Sequence, residues 1–260
     1  MTTVVPAAEE FVPPGTSDFW QPLFGDGALA VTRTMVVMVL LTVVLGLLLV
    51  VGTRRLKVVP GRGQFRLEGV YNLVRNSVGR DIIGSEHFLP YVPLLLSLFS
   101  IILLNNLAGI IPPIQFPTES RIGFPLALAL SVYVVYLVAG VRRRGLVGFL
   151  KSLVPGGLPV IVVPLIFLLE LLTFLVLRPL TLTLRLFGNM FAGHVLLLLF
   201  AVGGEFLLLH GDGLIKLVSI PAYVMFFLFT AFEILIAFLQ AYVFILLASI
   251  YIAEVYADEH

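Results

Sequence analysis

The sequence predicts an all-α polytopic membrane protein, with five membrane-crossing helices, one amphipathic surface helix, and the last two crossings long and steeply tilted. Three observations predict it. Hydrophobic residues make up 60% of the 260 and charged residues only 12%, whereas soluble domains carry about 45–50% and about 25%. Apolar stretches at about 28–52, 90–112, 123–141, 159–200 and 214–257 each reach the length of roughly eighteen residues that marks a crossing helix. Basic residues gather on alternate connections, which is the pattern that orients a chain in a bilayer.

The first thirty residues carry Glu9, Glu10 and Asp18, several prolines and no basic residue. A targeting peptide needs a basic start, so residues 1–27 read as a polar tail outside the membrane, and 28–260 as a single membrane domain. After the first crossing comes a basic segment with Arg54, Arg55, Lys57, Arg62, Arg66, Arg75 and Arg80. In it Phe65, Val70, Leu73, Val74, Val78 and Ile82 recur at imperfect helical spacing, as expected for a surface helix over about 61–86. This segment and Arg142-Arg143-Arg144 belong on the cytoplasmic side. The connections at 113–122 and 203–213, with Glu119, Glu205 and Asp212, belong outside. Five crossings then leave the N-terminus outside and the C-terminus in the cytoplasm.

The last two stretches exceed a single upright crossing. About forty helical residues extend about 60 Å against a hydrocarbon core of about 30 Å, and the only break available in 159–200 is Arg178-Pro179, with no polar turn. Two tilted helices resolve the mismatch, with bends expected at Pro164 and Pro179. Gly203-Gly204 and Gly211-Asp212-Gly213 read as turn signals.

Several function classes drop out. The net charge of +1 gives no case for nucleic acid, and the absence of cysteine removes disulfides, thiol chemistry and zinc-thiolate sites. No phosphate loop, zinc helix or serine triad is present, so no catalytic residue, cofactor or metal is expected.

The chemistry lies in polar residues at membrane depth. The fourth stretch holds Glu170, Arg178, Arg185, Asn189 and His194, and the fifth holds Glu233 and Gln240. Charges there cost several kcal/mol and mark ion paths or paired groups. Arg178 and Arg185, seven apart, share a face within about 20°, as do Glu233 and Gln240, whereas His194 lies about 180° around from Arg185. Arg178 suits snorkelling or an ion pair, Glu170 suits neutralising an arginine, and Asn189 suits interhelical hydrogen bonding. His194 and Glu233 suit a contacting pair. Arg185 lies too deep to snorkel, which points to an ion-conducting role. A secondary transporter with an intramembrane ion pair is the competing class, although inverted repeats and broken helices are not evident. A membrane-embedded enzyme lacks its nucleophile or metal set.

At Leu184-Arg185-Leu186-Phe187-Gly188-Asn189-Met190-Phe191-Ala192-Gly193 the sequence resembles subunit a of the F-type ATP synthase. Arg178-Pro179, Gln240, and Asn106 within Leu104-Asn105-Asn106-Leu107-Ala108-Gly109-Ile110-Ile111-Pro112 extend the resemblance over about 85–257. It implies a stationary proton-channel subunit in a bacterial plasma membrane, facing a ring of c subunits and held by a b-subunit peripheral stalk. Arg185 would stand between two offset half-channels, with Asn189, Gln240 and Asn106 shaping the region. His194 and Glu233 would lie in the outer half-channel and Glu170 near the cytoplasmic one. Two departures stand out. Gly109 occupies a position that is acidic in some relatives, and the spacing from Glu170 to Arg178-Pro179 is one residue longer.

Overall fold

A computed structural model describes residues 22–25, 31–54, 57–111, 118–154, 159 and 161–257. The expected tail over 1–27 apart from 22–25, Arg55, the first residues of the first stretch, Pro112 and the connection through 117 lie outside the described residues. Five helices are long and apolar enough to cross a membrane: Arg33–Thr53, Leu89–Ile110, Gly123–Lys151, Val163–His210 and Gly213–Tyr256. The chain is a multi-pass, all-α membrane protein.

A short antiparallel ribbon precedes the helices, pairing β1 (Pro22–Phe24) with β2 (Val31–Thr32). Helix α1 (Arg33–Thr53) is apolar on every side and buries only Thr34 and Leu41. A helix of that composition needs lipid around it. Helix α2 (Arg62–Asn72) buries nothing within the protein and runs on through a wide π-helical stretch, Leu73–Ile83. There Val74 and Val78 become fully buried, so the surface helix is anchored at its second half.

Helix α3 (Val92–Ile110) follows a single turn, Leu89–Tyr91. A turn at Thr118–Ser120 leads into α4 (Gly123–Lys151). The expected span ended near residue 141, but α4 continues past the arginine cluster by breaking direction at Gly145, whose φ is 69°. A positive φ is inexpensive for glycine.

The fourth apolar stretch is continuous over Val163–His210. It comprises α5 (Val163–Leu172), a π-helical turn (Thr173–Leu177) and α6 (Arg178–His210). Pro164 sits in the first turn of the stretch, where the missing N–H is harmless, whereas Pro179 lies inside it, directly after the π-helical turn. The turn expected at Gly203-Gly204 does not occur. α6 runs through both glycines, and the chain reverses only at Gly211–Gly213. Tertiary context overrides the helix cost of glycine, about 1 kcal/mol: α7 packs beside Gly204, where a hypothetical Cβ would stand in ordinary contact with Ala222 and Tyr223 at 3.4 and 3.5 Å. Helix α7 (Ser219–Tyr256) completes the chain.

The core gathers around α7, which packs against α3, α4, α6 and the second half of the surface helix. Ala241 and Ala248 are fully buried among Leu95, Phe99, Ile102, Leu186, Phe244 and Ile245. Small side chains at such contacts let helix backbones approach closely. α1 stands outside this core.

Alternating traversal gives the molecule two ends. The basic end holds Arg142–Arg144, the start of α6 and the end of α7. Arg143 donates to Val255 O at 3.3 Å, Arg144 donates to Ala257 O at 2.5 Å, and the Tyr91 and Tyr256 hydroxyls meet at 2.7 Å. The opposite end joins α1 to the loop after α3, with Arg121 Nη1 donating to Thr32 Oγ1 at 3.3 Å. A 48-residue helix measures about 72 Å, so it cannot stand upright in about 30 Å of hydrocarbon and must incline.

Candidate functional site

The polar residues picked out by sequence converge on the α6–α7 contact. Asn189 Nδ2 donates to Gln240 Oε1 at 2.6 Å, and Gln240 Nε2 donates to the Arg185 carbonyl at 3.2 Å. This bracket fixes α7 against the turn of α6 that carries Arg185. The Arg185 side chain is half-buried, and its Nη1 is buried without a hydrogen-bond partner. A guanidinium has five donors and no acceptor, so it retains unused donor capacity here.

Toward the opposite end, a cavity of about 230 Å³ opens between α3, α6 and α7. Asn106, Asn189, His194, Glu233 and Gln240 all line it. His194 is buried, with Nδ1 2.9 Å from the Met190 carbonyl and Nε2 3.0 Å from the Gly109 carbonyl. A neutral imidazole has one N–H and can donate to only one of these oxygens, while the imidazolium can donate to both. Gain or loss of a proton at His194 therefore makes or breaks a hydrogen bond to the cavity wall.

Glu233 enters the same cavity from α7, and neither carboxyl oxygen has a hydrogen-bond partner. Asn106 Oδ1 is likewise buried and unpartnered. Buried polar atoms usually find partners, so two side chains with unmet capacity around one cavity, beside a histidine, fit a place where water or protons pass. Among the described residues no hydrogen bond or ion pair joins His194 to Glu233. The expected pair shares a cavity.

At the basic end a smaller cavity, about 90 Å³, is lined by Tyr136, Arg144, Glu170, Arg178 and Glu254, among others. Arg178 forms an ion pair with Glu254, donates to Tyr136 Oη at 3.2 Å, and places its guanidinium 5.0 Å from the Tyr251 ring centroid. The arginine is thus held by a carboxylate and two aromatic rings. Glu170 lines the cavity, but the carboxylate paired with Arg178 belongs to Glu254. Arg185 lies seven residues, about 10 Å, beyond Arg178 and nine residues, about 14 Å, before His194 along α6.

Sequence reasoning missed Glu254, which lies in the last turn of α7. It also missed two glycines. A Cβ at Gly109 would come within 2.8 Å of both His194 Nε2 and Met190 Cε, and one at Gly193 would collide with the Glu233 carboxylate. The lack of a side chain at Gly109 thus has a steric reason, since the histidine ring occupies the space of one.

Comparison with known proteins agrees with this geometry. Residues 34–253 match the family described as ATP synthase A chain. The chain is 46% identical over 262 residues to ATP synthase subunit a of Nocardioides sp., covering 96% of this chain and 95% of the relative. It is 40% identical over 258 residues to the subunit a of Pseudarthrobacter chlorophenolicus, covering 96% of each. With that of Streptomyces lividans it shares 39% over 254 residues, covering 96% and 89%. The apolar helices, the arginine-centred α6 and these matches agree, and the chain belongs to the ATP synthase A chain family.

Proposed function

We propose that this chain is the stationary proton-channel subunit of a rotary F-type ATP synthase in a bacterial plasma membrane. It couples proton flow through two offset half-channels to rotation of a ring of c subunits, and it has no catalytic residues of its own. The observation that carries this reading is Arg185, with its unpartnered buried Nη1, set on α6 between two cavities that hold the polar side chains on either side of it. The basic end faces the cytoplasm, so the His194/Glu233 cavity belongs to the outer half-channel and the Glu170 cavity to the cytoplasmic one. A b-subunit stalk holds the chain still against the turning ring.

A proton crossing 100 mV releases about 2.3 kcal/mol, which drives rotation only if direct passage between the half-channels is blocked. Arginine keeps its proton under physiological conditions, so it interrupts a proton wire while remaining a fixed positive charge. A ring carboxylate arriving beside Arg185 is favoured in its charged form and releases its proton. Once reprotonated from the outer cavity, it re-enters lipid neutral, since desolvation disfavours the charge. His194 and Glu233 pass protons to that carboxylate, while Asn189, Gln240 and Asn106 hold the cavity's shape and hydrogen bonds. The inclined α5–α6 and α7 present a long polar-centred face to a curved ring. The transporter reading loses its basis, because α6 and α7 run unbroken beside the site.

The test is Arg185→Ala in fully assembled complex reconstituted in vesicles. ATP synthesis and ATP-driven pumping are expected to vanish while passive proton leak rises. Lysine is not expected to restore coupling, because its compact ammonium loses its charge more readily when desolvated. Near-normal pumping by assembled Arg185→Ala would sink the proposal.

A further inference from the structure

We infer that Glu119 is a proton-exchanging station at the outer mouth of the pathway, ahead of His194 and Glu233; this rests on the outer placement argued above. Glu119 lies in the turn between α3 and α4, outside the crossing helices, where a carboxylate would ordinarily face water. Instead its side chain is 0% exposed, and neither Oε1 nor Oε2 has a hydrogen-bond partner. The preceding Thr118 Oγ1 is also buried and unpartnered. Burying a carboxylate without partners is costly in its ionised form and far less so when it holds a proton.

The turn packs against α1, α3, α4 and α6. The α3 end beside it carries Asn105 and Asn106, whose Oδ1 atoms are both buried without partners, and Asn106 lines the His194/Glu233 cavity. Buried oxygens without partners thus occur both in the turn and on the last turns of α3, the helix it packs against, and Asn106 brings one of them to that cavity. Such a set would be wasteful in a purely structural turn, where a threonine or glutamine could be satisfied by backbone groups.

The charged groups around Glu119 leave its state to burial. At this end α1 brings Arg33, the turn itself leads to Arg121, whose guanidinium is engaged with Thr32, and α6 brings His194 with Glu205 and His210 further along. α3 and α4 bring no titratable side chain at this end. Among the described residues none of these groups forms an ion pair with Glu119. Burial alone pushes its carboxyl up to about 8, so it holds a proton at neutral outer pH and releases it as the outer medium turns alkaline. A group that exchanges in that range is matched to accepting protons near neutrality.

The experiment uses whole ATP synthase in vesicles, at fixed driving force, with the pH on the outer face varied from about 6.5 to about 9.5. Glu119→Gln keeps the size and neutrality of the protonated acid but cannot exchange a proton. It is expected to slow proton flux at least about tenfold and to remove the inflection near pH 8, with assembly unchanged. Glu119→Asp is expected to retain part of both. Wild-type flux and pH profile in Glu119→Gln overturn the inference. Should glutamine prevent assembly, infrared difference spectra decide: a protonated-carboxyl band must fade as outer pH rises through about 8 and must shift in Glu119→Asp. Absence of that band overturns the inference as well. Arg185→Ala measured alongside separates the two proposals. Silence in that variant with normal flux in Glu119→Gln removes only the role of Glu119, while normal pumping in Arg185→Ala removes the channel reading itself.

Discussion

The carboxylate of Glu233 rests directly over Gly193 of the neighbouring helix, so close that a Cβ on the glycine would collide with Oε1 and lie 3.0 Å from Cδ. The missing side chain at 193 is what admits an acid between α6 and α7. Gly193→Ala is expected to push aside only the flexible end of Glu233, so stability should fall by about 1 kcal/mol or less. Proton flux should fall about ten- to hundredfold, because an ångström of misplacement is enough to spoil proton-transfer geometry. Thermal melting and vesicle flux on the same preparation check both halves. Unaltered flux would mean that the position of Glu233 does not matter to conduction.

Gly109→Ala meets a stiffer obstacle. The groups 2.8 Å from its Cβ are the ring of buried His194 and the Met190 methyl, and the ring is held by contacts to two backbone carbonyls. Overpacking of this kind costs about 1–3 kcal/mol, and the Nε2 contact with the Gly109 carbonyl should be lost. Nitrogen NMR of the histidine ring is expected to show a changed tautomer or protonation balance, accompanied by slower flux. A ring spectrum identical to wild type would refute the proposed coupling between these two residues.

The five crossings are legible in the sequence because lipid demands uniform apolarity, and that signal survives any arrangement of helices. Asn189 is legible as an interhelical hydrogen-bonding residue, but its partner, Gln240, emerges only when α6 and α7 pack. What escapes the sequence is space and pairing. Gly109 and Gly193 matter for the volume they leave empty, which appears only once α3, α6 and α7 are packed. Glu119 reads as an ordinary loop acid because hydrophilicity reports residue type rather than burial. Glu254, 76 residues from Arg178, takes the pairing role that Glu170 seemed suited to, because the ends of α4, α6 and α7 gather at the basic end. Gly203-Gly204 looks like a turn locally and is helical because α7 packs beside it.

Arg178 and Glu254 should not behave as equal partners. Their side chains are 18% and 46% exposed, so the ion pair alone is expected to contribute about 1 kcal/mol or less. Arg178→Ala also removes the hydrogen bond to Tyr136 and the contact with the Tyr251 ring. It should therefore destabilise more than Glu254→Ala, with a coupling energy below about 1 kcal/mol in the double-mutant cycle. Equal losses would show that the aromatic contacts contribute nothing.

The two ends of the molecule provide a topology test. Arg142 and Leu208 are both exposed and lie at opposite ends of the structure. Arg142→Cys and Leu208→Cys, in a chain with no cysteine of its own, are expected to react with an impermeant maleimide from the cytoplasmic and outer faces respectively. Labelling of both from one face would refute five alternating crossings.

One added residue in a straight α-helix turns everything beyond it by about 100°. Glu170 lies eight residues before Arg178, about 80° out of phase on a straight α-helix, yet both side chains line a single cavity. The π-helical turn at Thr173–Leu177 accounts for this, because a bond from i to i+5 encloses one residue more than the α-helical bond. The eighth residue is absorbed as girth instead of rotation, and Glu170 stays in phase with Arg178. An acid that residue counting would place out of step is thereby kept on the same face as the arginine.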